Sequence, residues 1–411
     1  MPEAKSPLFN RTYLKVIVWI VAIAIVLLTA GQNRSRDFIS IQKLAESPVY
    51  YVSQDKAPYL QLRFLLRTGA AINGDQQLLQ QLLLQQLQQQ LAGLATQPPF
   101  SQLGTKLASE ASDDRITIVA TLPADRSGEH AAIAEMTTTL LQQLSNYQPG
   151  DDLEKRWERL EAEQYLNLKD PESRLLNRFS NLLNGPLSVH PLQRFADFYR
   201  NSTSEGAVTL TLQGPAVVAL AETLAPLLQD SSITPSLTPP SLTSTPVQLE
   251  PVSNQTYKLW GIALPGRQQQ DFLSELLAVR TLQQLLQQHQ ATSRLIWKSL
   301  DKQGYLAMIL QGPEIKADTD LTALLESLQA QLSDELIDNA RTTLQTNFDT
   351  LMEQTDNQLG LLDTIAFYQL PTDYLNSFED RLRQTSNSQV RQTISSFLNN
   401  PGRYQITLPA Y

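Results

Sequence analysis

The sequence predicts an α+β fold: two similar units of helices packed on a mixed, mostly antiparallel sheet, behind one N-terminal apolar helix. Three observations predict it. Strand-like runs alternate with long helix-like runs in both halves of the chain. A Pro/Ser/Thr-rich stretch divides the halves. One long apolar run stands near the start, and nothing later is apolar for long enough to span a bilayer.

The apolar run is Val16–Ala30, interrupted only by Thr29 and extended by Tyr13 and Leu14. A span needs about 17–25 apolar residues, so 13–31 reads as a short transmembrane anchor after a cytoplasmic tail at 1–12. Lys5, Arg11 and Lys15 precede it, and Arg34 and Arg36 follow, a slight bias toward an inside N-terminus. The rival reading is a signal segment cleaved at the small residues Thr29-Ala30-Gly31. Either way the body is exported: anchored to the inner membrane and periplasmic, or secreted after cleavage. With no cysteine in the chain, acylation, disulfides and thiolate sites are excluded.

The body is read as an N-terminal unit at 40–229, a linker at 230–255 and a C-terminal unit at 256–411. Proline in DSSITPSLTPPSLTSTPVQLEPVSNQ stiffens the chain and removes backbone donors, hence the linker. In the first unit Tyr59–Leu66, Arg115–Leu122 and Val208–Gln213 read as strands. Alternation of Ile116, Ile118 and Ala120 with Thr117, Val119 and Thr121 marks a half-buried one. Helices are expected at Gln76–Leu94, His130–Leu144, Asp151–Leu168 and Pro171–Leu183.

The second unit repeats the order. Tyr257–Leu264, Tyr305–Gln311 and Tyr404–Leu408 are strand-like. Helices are expected near Asp271–Gln288, Asp318–Leu332, Asp334–Glu353, Asn357–Gln369 and Ser388–Leu398, the last with a capping box from Ser386 and Gln389. Gln-Gly-Pro ends a strand in both halves, at Gln213–Pro215 and Gln311–Pro313, and is taken as a mark of duplication. Gln76–Gln90 holds nine glutamines in fifteen residues. Leu79, Leu83, Leu87 and Leu91 recur every four residues within and beyond it, so it reads as an amphipathic helix rather than a low-complexity tract.

Composition removes several functions. Formal charge is −9 with no basic cluster, which argues against nucleic-acid binding. The three histidines, His130, His190 and His289, are 60 or more residues apart, so no two share a helix face. No G-x-S-x-G elbow is present.

The segment RFLLRTGAAINGDQQLLQQLLLQQLQQQL, Arg63–Leu91, has a strand, a turn at Gly69 and a long helix. It resembles the opening of an insulinase-type (pitrilysin-like) zinc peptidase domain. Active members carry the inverted zinc motif H-x-x-E-H on that helix, two imidazoles for the metal and a glutamate for the water. The best matching positions here are Leu82, Gln85 and Gln86, or Gln81, Leu84 and Gln85 one residue earlier. Neither register offers an imidazole or carboxylate, so the resemblance implies a member without metal or cofactor. Glu161 and Glu163 fall near the family's third ligand, on a helix whose charged face accounts for them. Ala108–Leu122, Asp170-Pro171 and His190-Pro191 also resemble family segments. Ala291–Gly312 resembles the family's Ser-Arg-Leu segment, where an Arg and a Tyr seven residues apart hold substrate; Lys298 and Tyr305 occupy those positions here. Lysine keeps the charge but loses the planar fork. The tail Leu361–Tyr411 follows the family too: helix, Gln-Leu-Pro turn, short helix, capped helix, final strand.

The likeness, over about Tyr50–Tyr411, implies a non-catalytic subunit that pairs with a zinc-bearing homologue and contributes Lys298 and Tyr305 to binding a peptide or unfolded protein. A stand-alone membrane-tethered scaffold or peptide-binding module is the alternative. A peptidase in its own right would need a zinc site assembled from distant histidines.

Overall fold

The computed structural model describes residues 38–148, 150, 152–184, 190–228, 246–288 and 292–411. The expected anchor at 13–31, the tail before it, residues 230–245 of the expected linker and His289 lie outside the described residues. Among the described residues, no helix is long and apolar enough to cross a membrane.

The first half builds β1 (Gln42–Lys43), β2 (Val49–Ser53), β3 (Tyr59–Arg67), β4 (Lys106–Ser112), β5 (Arg115–Pro123) and β6 (Val208–Gly214). They form one sheet in the order β1-β2-β6-β3-β5-β4, with only β2 and β6 parallel. The second half builds β7 (Val247–Gln248), β8 (Tyr257–Pro265), β9 (Thr292–Ser299), β10 (Gln303–Gln311) and β11 (Tyr404–Leu408). Their order is β7-β11-β8-β10-β9, with only β7 and β11 parallel. From β2 onward the two sheets share strand order and sense.

Two details correct the sequence reading. The Gln-Gly-Pro tripeptides follow β6 and β10, which are not equivalent strands. They mark a strand exit: Gly214 and Gly312 have φ of 135° and 142°, conformations open to glycine. A Cβ on Gly214 would also lie 2.7 Å from the Tyr59 carbonyl. And the described end of the expected linker is part of the second sheet. Val247–Gln248 pairs with β11, and the Leu249 N–H donates to Thr407 O at 2.8 Å.

Helices follow the apolar periodicity closely. In the first half they are α1 (Gly74–Leu94), α2 (His130–Ser145), α3 (Leu153–Asn167), α4 (Pro171–Asn184), α5 (Phe195–Thr203) and α6 (Val217–Leu224). In the second they are α7 (Phe272–Gln287), α8 (Leu321–Ala330), α9 (Asp334–Met352), α10 (Thr355–Phe367), α11 (Tyr374–Gln384) and α12 (Asn387–Leu398). The Ser386/Gln389 capping box forms as expected. Alternate residues of β3 (Leu60, Leu62, Phe64, Leu66) and β5 (Ile116, Ile118, Ala120, Leu122) meet the leucines of α1 and the apolar faces of α2 and α6 in one core.

The halves interlock by exchanging a helix. Helix α4 lies on β8 and β11 of the second sheet, burying Leu175 and Phe179 against Leu259, Ile309, Tyr404 and Ile406. Helix α10 lies on β2, β3 and β6 of the first sheet. Residues Ile39–Tyr411 accordingly cohere as one unit.

Candidate functional site

The long helix α1 starts where the sequence stops it from starting earlier. The Asn73 side chain accepts the Gln76 N–H at 2.8 Å, and the Gln76 side chain accepts the Asn73 N–H at 3.2 Å, a reciprocal capping box. The helix contains no histidine, and Asp75 is its sole carboxylate. No register of it can spell H-x-x-E-H.

The structure shows which face of α1 each candidate triple occupies. Leu82 is fully buried in the core beneath α1, so it cannot reach a surface site. Gln86 is also buried; its amide donates to Gln148 O at 3.1 Å and its oxygen accepts from Arg156 at 2.8 Å. In the other aligned register Gln81 is exposed and Leu84 and Gln85 are half-buried. A third triple with the same spacing, Gln77, Gln80 and Gln81, opens toward solvent beside β4: Gln77 and Gln81 are exposed, and they flank buried Gln80. The Gln80 amide donates to Thr68 Oγ1 at 2.8 Å and to Ser112 O, at the end of β4, at 2.7 Å. Leucine recurs every four residues here, so several triples share this spacing. Three amides neither ligate zinc well nor accept a proton near neutral pH. The residues present do not fit a catalytic zinc.

The remaining candidates do not repair this. Glu161 and Glu163 are exposed, and Glu163 pairs with Arg159 on its own helix at 2.9 Å. Burial pushes the Asp75 carboxyl up; His190 opposes that rise and Glu161 adds to it. Among the described residues, however, no three His, Cys, Asp or Glu side chains gather closely enough to hold a metal ion. His190 packs its ring on Trp157 at 5.5 Å. His130 starts α2, far along the chain from both.

Lys298 and Tyr305, seven apart in sequence, are direct partners across the β9–β10 ladder, so their side chains share a face. Lys298 Nζ pairs with Asp113, in the β4–β5 turn. The Tyr305 ring meets Phe179 edge-on at 5.6 Å. Burial, then the charge of Asp113, pushes the Tyr305 hydroxyl up to about 12, against the opposing pull of Arg294. It is a neutral donor at physiological pH, and it makes no hydrogen bond among the described residues.

The β4–β5 turn joins these pieces. Ser112 receives the Gln80 amide, the Asp113 carbonyl receives the Ala71 N–H at 2.7 Å, and the Asp113 carboxylate receives Lys298. Next to it, Asp114 accepts the Asp301 N–H at 2.9 Å and the Tyr368 hydroxyl at 2.8 Å. The open face of α1, the outer strand β4 and the Lys298/Tyr305 pair thus meet along one seam. Sequence reading singled out Lys298 and Tyr305 but missed Gln80, Asp113 and Asp114. The Asp-Asp dipeptide between two strand-like runs was the turn signal that could have found the last two.

The sequence matches no family model and no curated protein. Solved structures do match. A peptidase M16 inactive domain from Pseudomonas fluorescens has a TM-score of 0.66 at 16% identity, over 91% of this chain and 98% of that one. A chain of complex III2 from Candida albicans gives 0.59 at 12% identity, over 90% and 96%. The periplasmic protease PqqL from Escherichia coli gives 0.56 at 14% identity, over 91% of this chain but 47% of that chain. The chain shares the fold of these structures, the peptidase M16 inactive domain among them, as the resemblance of its sequence led us to expect.

Proposed function

We propose that this chain is a non-catalytic peptidase-fold subunit that works with a zinc-bearing homologue of similar fold and helps it hold peptide. The observation that carries the reading is α1: the helix is retained, yet Gln77, Gln80 and Gln81 stand at the spacing of the metal motif without one ligand or base among them. The length of PqqL is consistent with pairing, since this chain spans about half of it. The fold neighbour titled as an inactive domain is also consistent with it.

The substrate contacts we assign are Lys298, Tyr305 and the outer strand β4. Each face of β4 alternates with the other, and one of its backbone edges is unpaired within the sheet. An extended peptide can add to such an edge through main-chain hydrogen bonds, which suits sequence-tolerant recognition. Tyr305 would donate to a peptide carbonyl and Lys298 would engage a carboxylate in exchange for Asp113. We further propose that 13–31 anchors the chain, or exports it and is cleaved, with repeats at 40–229 and 256–411 in the periplasm.

Purification of the tagged chain from its native host tests the pairing. The expected result is a stoichiometric second chain bearing H-x-x-E-H and zinc. A stable lone monomer under the same conditions would favour the scaffold reading, which the interlocked helices make self-consistent.

A further inference from the structure

We infer that a cavity on the far side of α4 from Phe179 is a separate binding site for an acidic peptide segment carrying an aromatic side chain. Its volume is about 640 Å³, room for one or two residues of a peptide. It lies between the end of α3, the outward face of α4, the segment after β7, and Tyr411.

Charge is the first argument. Lys169, Arg174 and Arg178 line the cavity, and among the described residues no Asp or Glu does. The chain as a whole carries −9, so three clustered cations run against its average. None of the three makes an ion pair among the described residues, whereas the neighbouring Glu172 is already taken by Arg294 at 2.8 Å. Arg174 and Arg178 stand at i and i+4 on one helix, so their guanidinium forks project side by side, and each can grip a carboxylate through two hydrogen bonds. Leu175 and Phe179, one residue further on in each case and so about 100° round the helix, turn into the second sheet, which leaves the arginines outside that core.

Aromatic surface is the second. Tyr165 and Tyr411 are 68% and 81% exposed, among the most exposed large apolar side chains described, and both line this cavity. Lys169 lies 5.7 Å from the Tyr165 ring centre. Leu249 and Val252 supply an apolar wall. Cations beside open rings favour a ligand that pairs carboxylates with an aromatic group. A concave, amide-lined cavity suits a peptide better than a flat lipid surface, and the site needs no partner subunit.

Fluorescence anisotropy of the purified chain with two labelled hexapeptides, one of alternating Glu and Phe and one with Gln in place of Glu, tests this. The acidic peptide should bind, and the Gln peptide should bind at least about tenfold more weakly, the size expected for losing charge-assisted hydrogen bonds. Arg174→Ala with Arg178→Ala should remove that preference, and Tyr165→Ala should weaken binding without removing it, all with unchanged circular dichroism. In a Lys298→Ala background, where the seam's own carboxylate contact is gone, the preference that depends on Arg174 and Arg178 should persist, which separates this site from the seam. Equal binding of both peptides, no loss in the double arginine variant, or displacement of the peptide by phosphatidylserine vesicles but not by unlabelled peptide would overturn the inference.

Discussion

Helix α4 crosses to the second sheet and helix α10 crosses to the first, and the two contacts use different chemistry. The α4 contact is apolar: Leu175 and Phe179 meet Leu259, Ile309, Tyr404 and Ile406. It is held by shape, since a Cβ on Gly261 would come within 2.5 Å of the Phe179 ring. The α10 contact is polar. Asp363 accepts Arg63 Nε at 2.6 Å and Thr211 Oγ1 at 2.7 Å, and Tyr368, just beyond α10, donates to Asp114. Arg67 and Arg115 stack on the Phe367 ring at 4.3 and 4.9 Å. Burying a large apolar side chain yields about 1.5–3 kcal/mol without regard to direction. Directional bonds yield less on balance, but an unpaired partner left behind is costly. The apolar contact therefore supplies adhesion and the polar one fixes where the β4–β5 turn sits, which is where the candidate site lies.

The comparison breaks most readily at Phe179. Phe179→Ala should cost about 3–5 kcal/mol in urea unfolding, as for other buried aromatic truncations. Gly261→Ala should cost about 1–3 kcal/mol through overpacking. The double variant should cost less than the sum, because each change relieves the other; strict additivity would mean that the ring and the glycine do not meet.

On the polar side, Asp363→Ala should cost about 1–3 kcal/mol, since it leaves buried Thr211 without its acceptor and half-buried Arg63 with Glu110 alone. Asp363→Asn, which keeps an acceptor for Thr211, should cost less. Tyr368→Phe should cost about 1–2 kcal/mol by removing one bond to buried Asp114. If Tyr368→Phe matched Phe179→Ala in effect, the division of labour would be wrong.

Glu275 on α7 offers a pH test away from both contacts. Burial raises its carboxyl to about 7, against the opposing Trp297 bond. The folded state then holds a proton that the unfolded state has already lost above about 4.5. Stability should be greatest at acid pH on this account and fall by about 1–3 kcal/mol as pH rises from 4.5 to 7. Glu275→Gln should flatten that slope and stabilise the protein at pH 8; an unchanged slope would assign it to another group. The smallest stability effect expected is Lys298→Ala, below about 1 kcal/mol for a partly exposed ion pair, and any larger change in peptide binding would then report on contact rather than folding.

Most elements were legible because they bury one face. The alternation in Ile116–Leu122 and the leucine stripe of α1 can be read only one way once a face must leave water. Of the strands that were not named separately, β1, β4, β7 and β9 are the outer strands of their sheets. The β4 sequence KLASEAS is small and polar on both faces, so no apolar alternation announces it. β2 was missed although Val-Tyr-Tyr-Val is strand-like, because it is short and follows a proline. At the site, the absence of ligands was legible in any register. That Leu82 faces the core and that Gln80 reaches Ser112 are long-range facts that the sequence does not display.

The proposed function turns on α1 holding no metal. Zinc content of the purified chain, measured by plasma mass spectrometry after equilibration with micromolar zinc and gel filtration, tests this most directly. The account predicts no stoichiometric zinc, with or without peptide present. One equivalent per chain, removed by chelator and lost in Gln77→Ala or Gln81→Ala, would contradict it.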